Sequence, residues 1–225
     1  KQPRRIWQYG RISDTSEASV LASKRFCVAK TPYKYMQKGA FITIYGINNI
    51  GKSTNAKLLV EKLKNAGRKA VYMKYPVYDL EPSGPFLNKI LRGGDGQKIS
   101  EDELQLWFII NRYQFESSLK KLLNDGNIVI AEDYIGTGIA WGVAKGLDQK
   151  WLEDGNKYLL KEDLAILLVG ERHIKSKEKI HVHEQNDELS KKCANIFEML
   201  ADKFGWERVI VQEKAEDTSN LLFNL

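Results

Sequence analysis

The chain has 225 residues, of which 43% are hydrophobic and 28% charged, proportions typical of a soluble globular protein. This length suits one sizeable α/β domain, and no apolar run approaches the roughly 20 residues of a membrane-spanning helix, so a spanning segment is excluded. The two cysteines, Cys27 and Cys193, are too few for a disulfide framework and predict a reducing, cytoplasmic location.

The net charge of +6 is concentrated in one part of the chain. Residues 1–39 hold nine Lys or Arg against two Asp or Glu, so the remainder is almost neutral and a nucleic-acid partner is not expected for it. We predict that residues 1–39 form a poorly ordered basic extension and that residues 40–225 form the folded domain. Met36 precedes a short polar lead and an apolar run, which suggests a natural start there. The alternative is a targeting peptide, although no clear amphipathic run supports it.

From residue 40 onward, short apolar runs alternate with longer helical patterns. Ser100 and the carboxylates after it favour a helix start, and Gly67 suits a left-handed helix end. This alternation predicts an α/β fold with three layers, in which helices flank a five-stranded parallel sheet. The predicted strands are Ala40–Tyr45, Lys69–Lys74, Asn127–Ala131, Leu164–Val169 and Arg208–Val211, and the predicted helices are Lys52–Ala66, Phe86–Leu91, Asp102–Leu123, Gly138–Gly146 and Glu184–Phe204.

The turn after the first predicted strand has the pattern of a phosphate-binding loop, or P-loop. Gly46 is followed by four residues and then by Gly51, Lys52 and Ser53. Such glycines let successive main-chain amides face phosphate oxygens, the lysine reaches the β- and γ-phosphates, and the hydroxyl binds Mg²⁺. The strand before the loop and the helix after it are the context that this pattern requires. The predicted ATP phosphate site is Gly46, Ile47, Asn48, Asn49, Ile50, Gly51, Lys52, Ser53 and Thr54.

Three further stretches follow the P-loop in a specific order. They are KYPVYDLEPSGPFLNKIL after the second strand, LWFIINR in the long helix, and IVIAEDYIGTGIAWGVAKGLD over the third strand and the next helix. In this order they resemble the thymidylate kinase family, which has Phe-Pro-Arg-Tyr, Leu-Phe-x-x-x-Arg and Asp-Arg-Tyr-x-x-Ser-x-x-Ala-Tyr at these places. The resemblance covers nearly all of residues 40–212. It implies transfer of the γ-phosphate of ATP to dTMP with Mg²⁺, in a homodimer.

The resemblance also implies which residues would bind the acceptor nucleotide. Phe108 matches an aromatic residue that stacks on thymine, and Arg112 matches an arginine that holds the acceptor. Their spacing of four residues places both on one face of a helix. Trp141 stands where the family has a tyrosine beside the deoxyribose. The full predicted acceptor set is Tyr75, Tyr78, Phe108, Arg112, Asp133, Gly138 and Trp141.

A basic polar segment at about residues 170–183 resembles the family's lid over ATP. Phosphoryl transfer needs cations around the moving group, and the P-loop itself offers only Lys52. We therefore predict that Arg172, Lys175 and Lys177 act with Lys52 in catalysis. His181 and His183 form a lone His-x-His and are interpreted as exposed lid residues rather than metal ligands.

The chain departs from the family pattern on the acceptor side. Glu132-Asp133-Tyr134 replaces Asp-Arg-Tyr, Asn48 replaces an aspartate, and Tyr45 replaces a glutamate. Glu132 keeps a carboxylate that could act on Mg²⁺ through water, but Asp133 reverses the charge of an arginine that grips the acceptor phosphate.

Three explanations of this departure remain open. In a divergent thymidylate kinase, Arg112 together with Lys74 or Arg92 takes over the acceptor phosphate, and Asp133 is bound to Mg²⁺ or points away. A deoxynucleoside kinase has no acceptor phosphate to bind, and its acidic pair could accept a hydroxyl proton. A nucleotide-binding regulator has lost the chemistry altogether, but it has no need to keep Lys52.

Overall fold

A computed structural model describes residues 39–93, 97–171 and 187–225 of the chain. Its centre is a sheet of five parallel strands in the spatial order β2-β3-β1-β4-β5. The strands are β1 (Ala40–Tyr45), β2 (Ala70–Lys74), β3 (Ile128–Glu132), β4 (Leu164–Val169) and β5 (Glu207–Ile210). The predicted fold class is therefore confirmed, and each predicted strand lies within one residue of its observed bounds.

Seven helices connect and cover these strands within the described residues. They are α1 (Lys52–Asn65), α2 (Ser83–Arg92), α3 (Glu101–Asn124), α4 (Ile135–Ala144), α5 (Gln149–Asn156), α6 (Asp187–Phe204) and α7 (Ala215–Phe223). Along this part of the chain, no helix combines the length and the apolar character that crossing a membrane requires.

The two faces of the sheet bury different side chains because successive residues of a strand point to opposite sides. Ile42 and Ile44 of β1 pack with residues of α1 and with Leu222 of α7. Phe41 and Tyr45 of the same strand pack on the other side with residues of α3, α4 and α6. This division produces the three layers that the sequence predicts.

The helix ends follow local sequence signals where these are strong. The Ser100 side chain accepts a hydrogen bond from the main-chain amide of Glu103 and caps α3 as predicted. Gly67, just after α1, has a φ of 77°, which is the left-handed conformation that glycine favours. Both signals depend on neighbouring residues only.

Two predicted helices need correction. Helix α4 begins at Ile135 rather than Gly138, and α2 extends over Ser83–Arg92 rather than Phe86–Leu91. The short helices α5 and α7 are not predicted from the sequence at all. The predicted start of the last helix, at Glu184, lies outside the described residues, as do residues 1–38.

Parallel strands bring their carboxyl ends to one edge of the sheet. There the P-loop follows β1, while Lys74 ends β2 and Glu132 ends β3. Lys74 and Glu132 are register partners on neighbouring strands, and Ile44 of β1 is paired with Glu132 on its other side. This edge is where open α/β sheets bind their ligands.

Candidate active site

The P-loop wraps around the start of α1 with several left-handed main-chain conformations. Gly46, Asn49 and Gly51 have φ angles of 140°, 64° and 96°. A Cβ at Gly46 would also lie 3.0 Å from the carbonyl oxygen of Leu168, so this position has little room for a side chain. Because Gly51 caps α1, the loop's main chain is held around the helix N-terminus, where anions bind.

Lys52 is buried at the base of this loop. Its Nζ donates hydrogen bonds to the carbonyl oxygens of Gly46 at 2.8 Å and Ile47 at 3.0 Å. The same atom lies 3.7 Å from Asp133 Oδ1. The lysine is therefore held between the P-loop and the carboxylate that follows β3.

Glu132 ends β3 as a buried, paired carboxylate. Its Oε1 lies 2.9 Å from Lys74 Nζ, and its Oε2 accepts a hydrogen bond from the Tyr72 hydroxyl at 2.6 Å. Burial opposes ionisation, but the charges of Lys74 and Lys52, together with a hydrogen bond from Ser53, lower the pKa of Glu132 below its usual value. The group is thus a carboxylate at neutral pH.

Asp133 is in the opposite electrostatic situation. Its φ of 63° is left-handed, and the Thr137 hydroxyl donates to its Oδ1 at 2.8 Å. Burial, and then the charge of Glu132, raise the pKa of Asp133 above its usual value, although Lys52 and Lys74 act in the other direction. The residue that reverses the family's charge is therefore neither exposed nor directed away from the P-loop.

A cavity of about 800 Å³, counting its open mouth, adjoins these carboxylates. Asn48 of the P-loop and Lys74 line it, and so do all the residues of the predicted acceptor set. Phe108 and Arg112 reach it from one face of α3, as their spacing predicts. The lining from the predicted acceptor set is Tyr75, Tyr78, Phe108, Arg112, Asp133, Gly138 and Trp141.

Arg112 is a buried cation in this cavity rather than a surface charge. Its side chain is 4% exposed, and its Nε donates to Asn156 Oδ1 at 2.9 Å. Burial lowers the pKa of Arg112 to about 10, against the opposing influence of nearby phenol groups such as those of Tyr134 and Tyr75. It therefore stays protonated at neutral pH. Asn156 itself donates to the Leu152 carbonyl, so α5 fixes the orientation of the guanidinium.

Asn111 attaches the loop after β2 to α3. It is completely buried, accepts a hydrogen bond from the Val77 amide, and donates to the Val77 carbonyl and to Ser83 Oγ. These bonds hold the segment that contains Tyr75 and Tyr78 against the cavity. The Arg92 guanidinium lies over the Tyr78 ring at 4.5 Å from its centre.

The remaining predicted site residues are distributed differently. Ile50 is buried, Ser53 is half-buried, and Thr54 is exposed on α1. The predicted catalytic cations Arg172, Lys175 and Lys177 lie outside the described residues, as does most of the predicted lid.

The sequence predictions miss three polar residues of the site: Gln105, Asn111 and Asn156. Gln105 and Asn111 are on α3, and a projection of that helix could have found Gln105, which lies three residues before Phe108 and seven before Arg112 and so shares their face. Asn156 had no such signal because its helix was not predicted.

Comparisons with known proteins point to one family. The family model described as thymidylate kinase matches residues 44–218. A protein of Thermococcus kodakarensis named "Probable thymidylate kinase" is 33% identical over 198 residues, which are 82% of this chain and 96% of the relative. The thymidylate kinase of Dictyostelium discoideum is 26% identical over 193 residues, covering 82% of this chain and 83% of the relative.

A solved structure agrees with these sequence relatives. The thymidylate kinase of Candida albicans superposes with a TM-score of 0.70 at 25% identity, and the match covers 83% of this chain and 90% of that one. The resemblance that the sequence motifs predict is thus confirmed by family model, relatives and structure. The chain belongs to the thymidylate kinase family.

Proposed function

We infer that the chain is an ATP-dependent phosphotransferase that converts dTMP to dTDP, in the cytoplasm. Membership of the thymidylate kinase family supports this reaction. The observation that carries it is that one cavity is lined both by the P-loop residue Asn48 and by Phe108, Arg112 and Trp141. A nucleotide bound among these residues has its acceptor group close to the ATP phosphates, and such positioning is a large part of phosphoryl-transfer catalysis.

On the donor side, the main-chain amides of the P-loop bind the ATP phosphates. Lys52 exchanges its contacts with the carbonyl oxygens of Gly46 and Ile47 for phosphate oxygens, which are stronger partners for an ammonium group. Arg172, Lys175 and Lys177 supply further positive charge to the moving phosphoryl group. No general base is required, because an acceptor phosphate is already an anionic nucleophile.

The residues at the P-loop edge fit a magnesium ion. Ser53 provides a hydroxyl, and Glu132 provides a carboxylate whose lowered pKa keeps it ionised. Mg²⁺ prefers such hard oxygen donors and commonly completes its shell with waters and substrate phosphates. The absence of any cluster of three or more His, Cys, Asp or Glu ligands among the described residues is compatible with that kind of site. We propose that Ser53 binds the ion directly and Glu132 through water, and that the bound ion neutralises phosphate charge.

On the acceptor side, the base stacks on Phe108, Trp141 lies beside the sugar, and Tyr75 and Tyr78 belong to the loop that closes over the nucleotide. Lys74 and Arg92, which both line the cavity, replace the arginine that Asp133 has displaced. The negative charge of Asp133 is offset by Lys52, 3.7 Å away. This arrangement leaves a dianionic acceptor phosphate with positively charged neighbours.

One observation favours a second candidate, a deoxynucleoside kinase. Asp133 lines the cavity, and burial raises its pKa toward the range in which a carboxylate can accept a proton from a hydroxyl group. A nucleoside has no phosphate to repel this carboxylate.

The decisive experiment is an ADP-release assay with ATP and Mg²⁺ that offers dTMP, dUMP, dCMP, dGMP, thymidine and deoxycytidine in parallel. We expect turnover on dTMP and none on either nucleoside. Turnover on a nucleoside but on no monophosphate would establish the second candidate. ATP binding without turnover on any of the six acceptors would indicate a regulator and refute both enzymatic functions.

We also propose that the protein forms a homodimer through α3. Leu106, Ile110 and Tyr113 are 46%, 41% and 37% exposed, and their spacing places them on one face of the helix, away from the cavity residues. A stripe of exposed apolar residues on a helix is typical of an association surface. Sedimentation equilibrium should give twice the chain mass, and the Ile110→Lys variant should sediment as a monomer. A monomeric wild-type protein at micromolar concentration would exclude this proposal.

A further inference from the structure

The wall of the cavity between α3 and α4 contains a buried acceptor and a buried donor that nothing in the described residues satisfies. Gln105 and Arg112 are 2% and 4% exposed. Among the described residues, Gln105 Oε1 and Arg112 Nη2 have no hydrogen-bond partner. Buried polar atoms are rarely left unpaired in folded proteins. Two such atoms on the wall of a binding cavity therefore indicate groups that a ligand satisfies.

The two atoms lie close to the same point in space. Gln105 and Arg112 share a face of α3, and both side chains reach toward Gly138 of α4. A Cβ at Gly138 would lie 3.1 Å from Arg112 Nη2 and 3.3 Å from Gln105 Oε1. A donor and an acceptor this close together can bind neighbouring groups on the edge of one planar ring.

The surroundings fix both side chains in place. Asn156 binds Arg112 Nε at 2.9 Å, which leaves the Nη atoms for other partners. Gln105 packs against the glycine face of α4, where a Cβ at Gly142 would lie 3.5 Å from Gln105 Cδ. The donor and the acceptor are therefore preorganised rather than mobile.

We propose that Gln105 is a specificity-determining residue that recognises the base of the acceptor nucleotide. Its Oε1 accepts a hydrogen bond from a ring N–H, while Arg112 Nη2 donates to the carbonyl next to that N–H. This proposal rests on the proposed function, because it takes the cavity as the acceptor site.

The pair selects one class of base edge. Thymine and uracil present a ring N–H beside a carbonyl oxygen, which matches an acceptor beside a donor. Cytosine presents an unprotonated ring nitrogen beside an amino group. The amide of Gln105 could turn to donate to that nitrogen, but a guanidinium has no acceptor for the amino group. Arg112 and Gln105 together therefore disfavour cytosine, because the buried guanidinium donor would face the amino donor of the base, which is costly.

The test pairs a protein variant with a substrate analogue that lacks the ring N–H. The N3-methyl analogue of dTMP carries a methyl group in place of that hydrogen and keeps both ring carbonyl groups. We expect the wild-type protein to bind dTMP roughly 10- to 100-fold more tightly than this analogue, since a site built for a hydrogen bond rejects a ligand that lacks it. In Gln105→Leu the affinity for dTMP should fall about tenfold or more, because one buried hydrogen bond is lost, and the preference for dTMP over the analogue should fall strongly.

Binding is measured by isothermal titration calorimetry, and turnover by ADP release. Gln114→Leu is the matched control: this glutamine is on the same helix and donates to the Glu81 carbonyl, and it does not line the cavity. The Gln114→Leu variant should keep the wild-type preference for dTMP over its analogue. If Gln105→Leu is not folded by circular dichroism, Gln105→Met removes the amide while keeping the length of the side chain.

The outcomes separate this inference from the proposed function. A wild-type protein that turns over dTMP and its N3-methyl analogue with equal kcat/KM, or a Gln105→Leu variant that keeps the preference for dTMP, would overturn the role of Gln105 alone. Tight, discriminating binding of dTMP without turnover would overturn the proposed function and support the role of Gln105. Absence of dTMP binding would overturn both.

Discussion

Replacing Lys74 with methionine removes a cation that faces a buried carboxylate. Lys74 Nζ lies 2.9 Å from Glu132 Oε1, with side-chain exposures of 39% for the lysine and 4% for the glutamate. Removing one partner of a fully buried ion pair costs about 3–5 kcal/mol. Because this lysine is partly in water and the Tyr72 hydroxyl still binds Glu132, we expect Lys74→Met to lower the free energy of unfolding at pH 7 by about 1–3 kcal/mol.

The stability that Lys74→Met loses should depend on pH in a defined direction. Burial works to raise the pKa of Glu132, but Lys74 and Lys52 hold it below the ordinary value of 4.5. An acid whose pKa is lowered by folding contributes stability above its unfolded-state pKa and loses it as the pH falls through the folded-state value. The difference in free energy of unfolding between wild type and Lys74→Met should therefore be largest at neutral pH. It should shrink as the pH falls below the ordinary Glu pKa of 4.5.

Urea denaturation followed by tryptophan fluorescence at pH 7 and at acid pH measures both effects. Lys120→Met is the control, because Lys120 pairs with Glu116 at 3.3 Å on the surface of α3 and is 53% exposed. Removal of such a surface pair should change the stability by less than about 0.5 kcal/mol. If Lys74→Met costs no more than this control at pH 7, or costs as much in acid as at neutral pH, the electrostatic account of Glu132 is wrong.

Lys52→Ala should abolish turnover while the circular dichroism spectrum stays that of the wild type, since the lysine is the P-loop cation and its loss leaves the sheet intact; normal turnover would contradict the site assignment. Asp133→Asn should raise the urea midpoint more at pH 8 than at pH 4. An acid whose pKa is raised by folding makes the protein less stable as the pH rises past its unfolded-state pKa, and asparagine removes this cost. An equal shift of the midpoint at the two pH values would exclude this cause. Asn156→Ala leaves Arg112 Nε without its partner, so we expect the free energy of unfolding to fall by about 1–3 kcal/mol. The KM for dTMP should rise, with kcat less affected. Unchanged KM and stability would show that α5 does not position the guanidinium.

The donor side of the site could be predicted because its signal is local. The P-loop pattern specifies main-chain conformation through glycines at fixed positions, and the observed φ angles of Gly46 and Gly51 agree with it. The strands are equally local, since runs of apolar residues between turns identify buried parallel strands. Neither inference needs any information about distant contacts.

The helices that complete the acceptor side depend on tertiary contacts. Helix α5 has eight residues, too few to be stable alone, and its Gly155 is packed so closely that a Cβ would lie 2.8 Å from Ile109 Cδ1. Helix α4 begins earlier than predicted because its glycines lower helix propensity in the sequence but are required by packing. A Cβ at Gly136, for instance, would lie 2.4 Å from the Trp206 ring.

The charge reversal at Asp133 is the point where sequence and structure together constrain the reaction. From the sequence, a carboxylate beside an acceptor dianion is a conflict. In the structure its Oδ1 accepts a hydrogen bond from Thr137 and lies 3.7 Å from Lys52, so the carboxylate already has a donor and a cation as neighbours.

An acceptor phosphate has a cation available at the cavity wall, because Lys74 lines the cavity while it pairs with Glu132. Lys74→Met should therefore reduce kcat/KM for dTMP by about tenfold or more if this lysine binds the acceptor phosphate, because a charge-assisted hydrogen bond is lost. A nucleoside kinase would instead keep its activity on thymidine. Under the proposed function, the acceptor phosphate is therefore the part of the substrate whose binding residues differ from the family pattern.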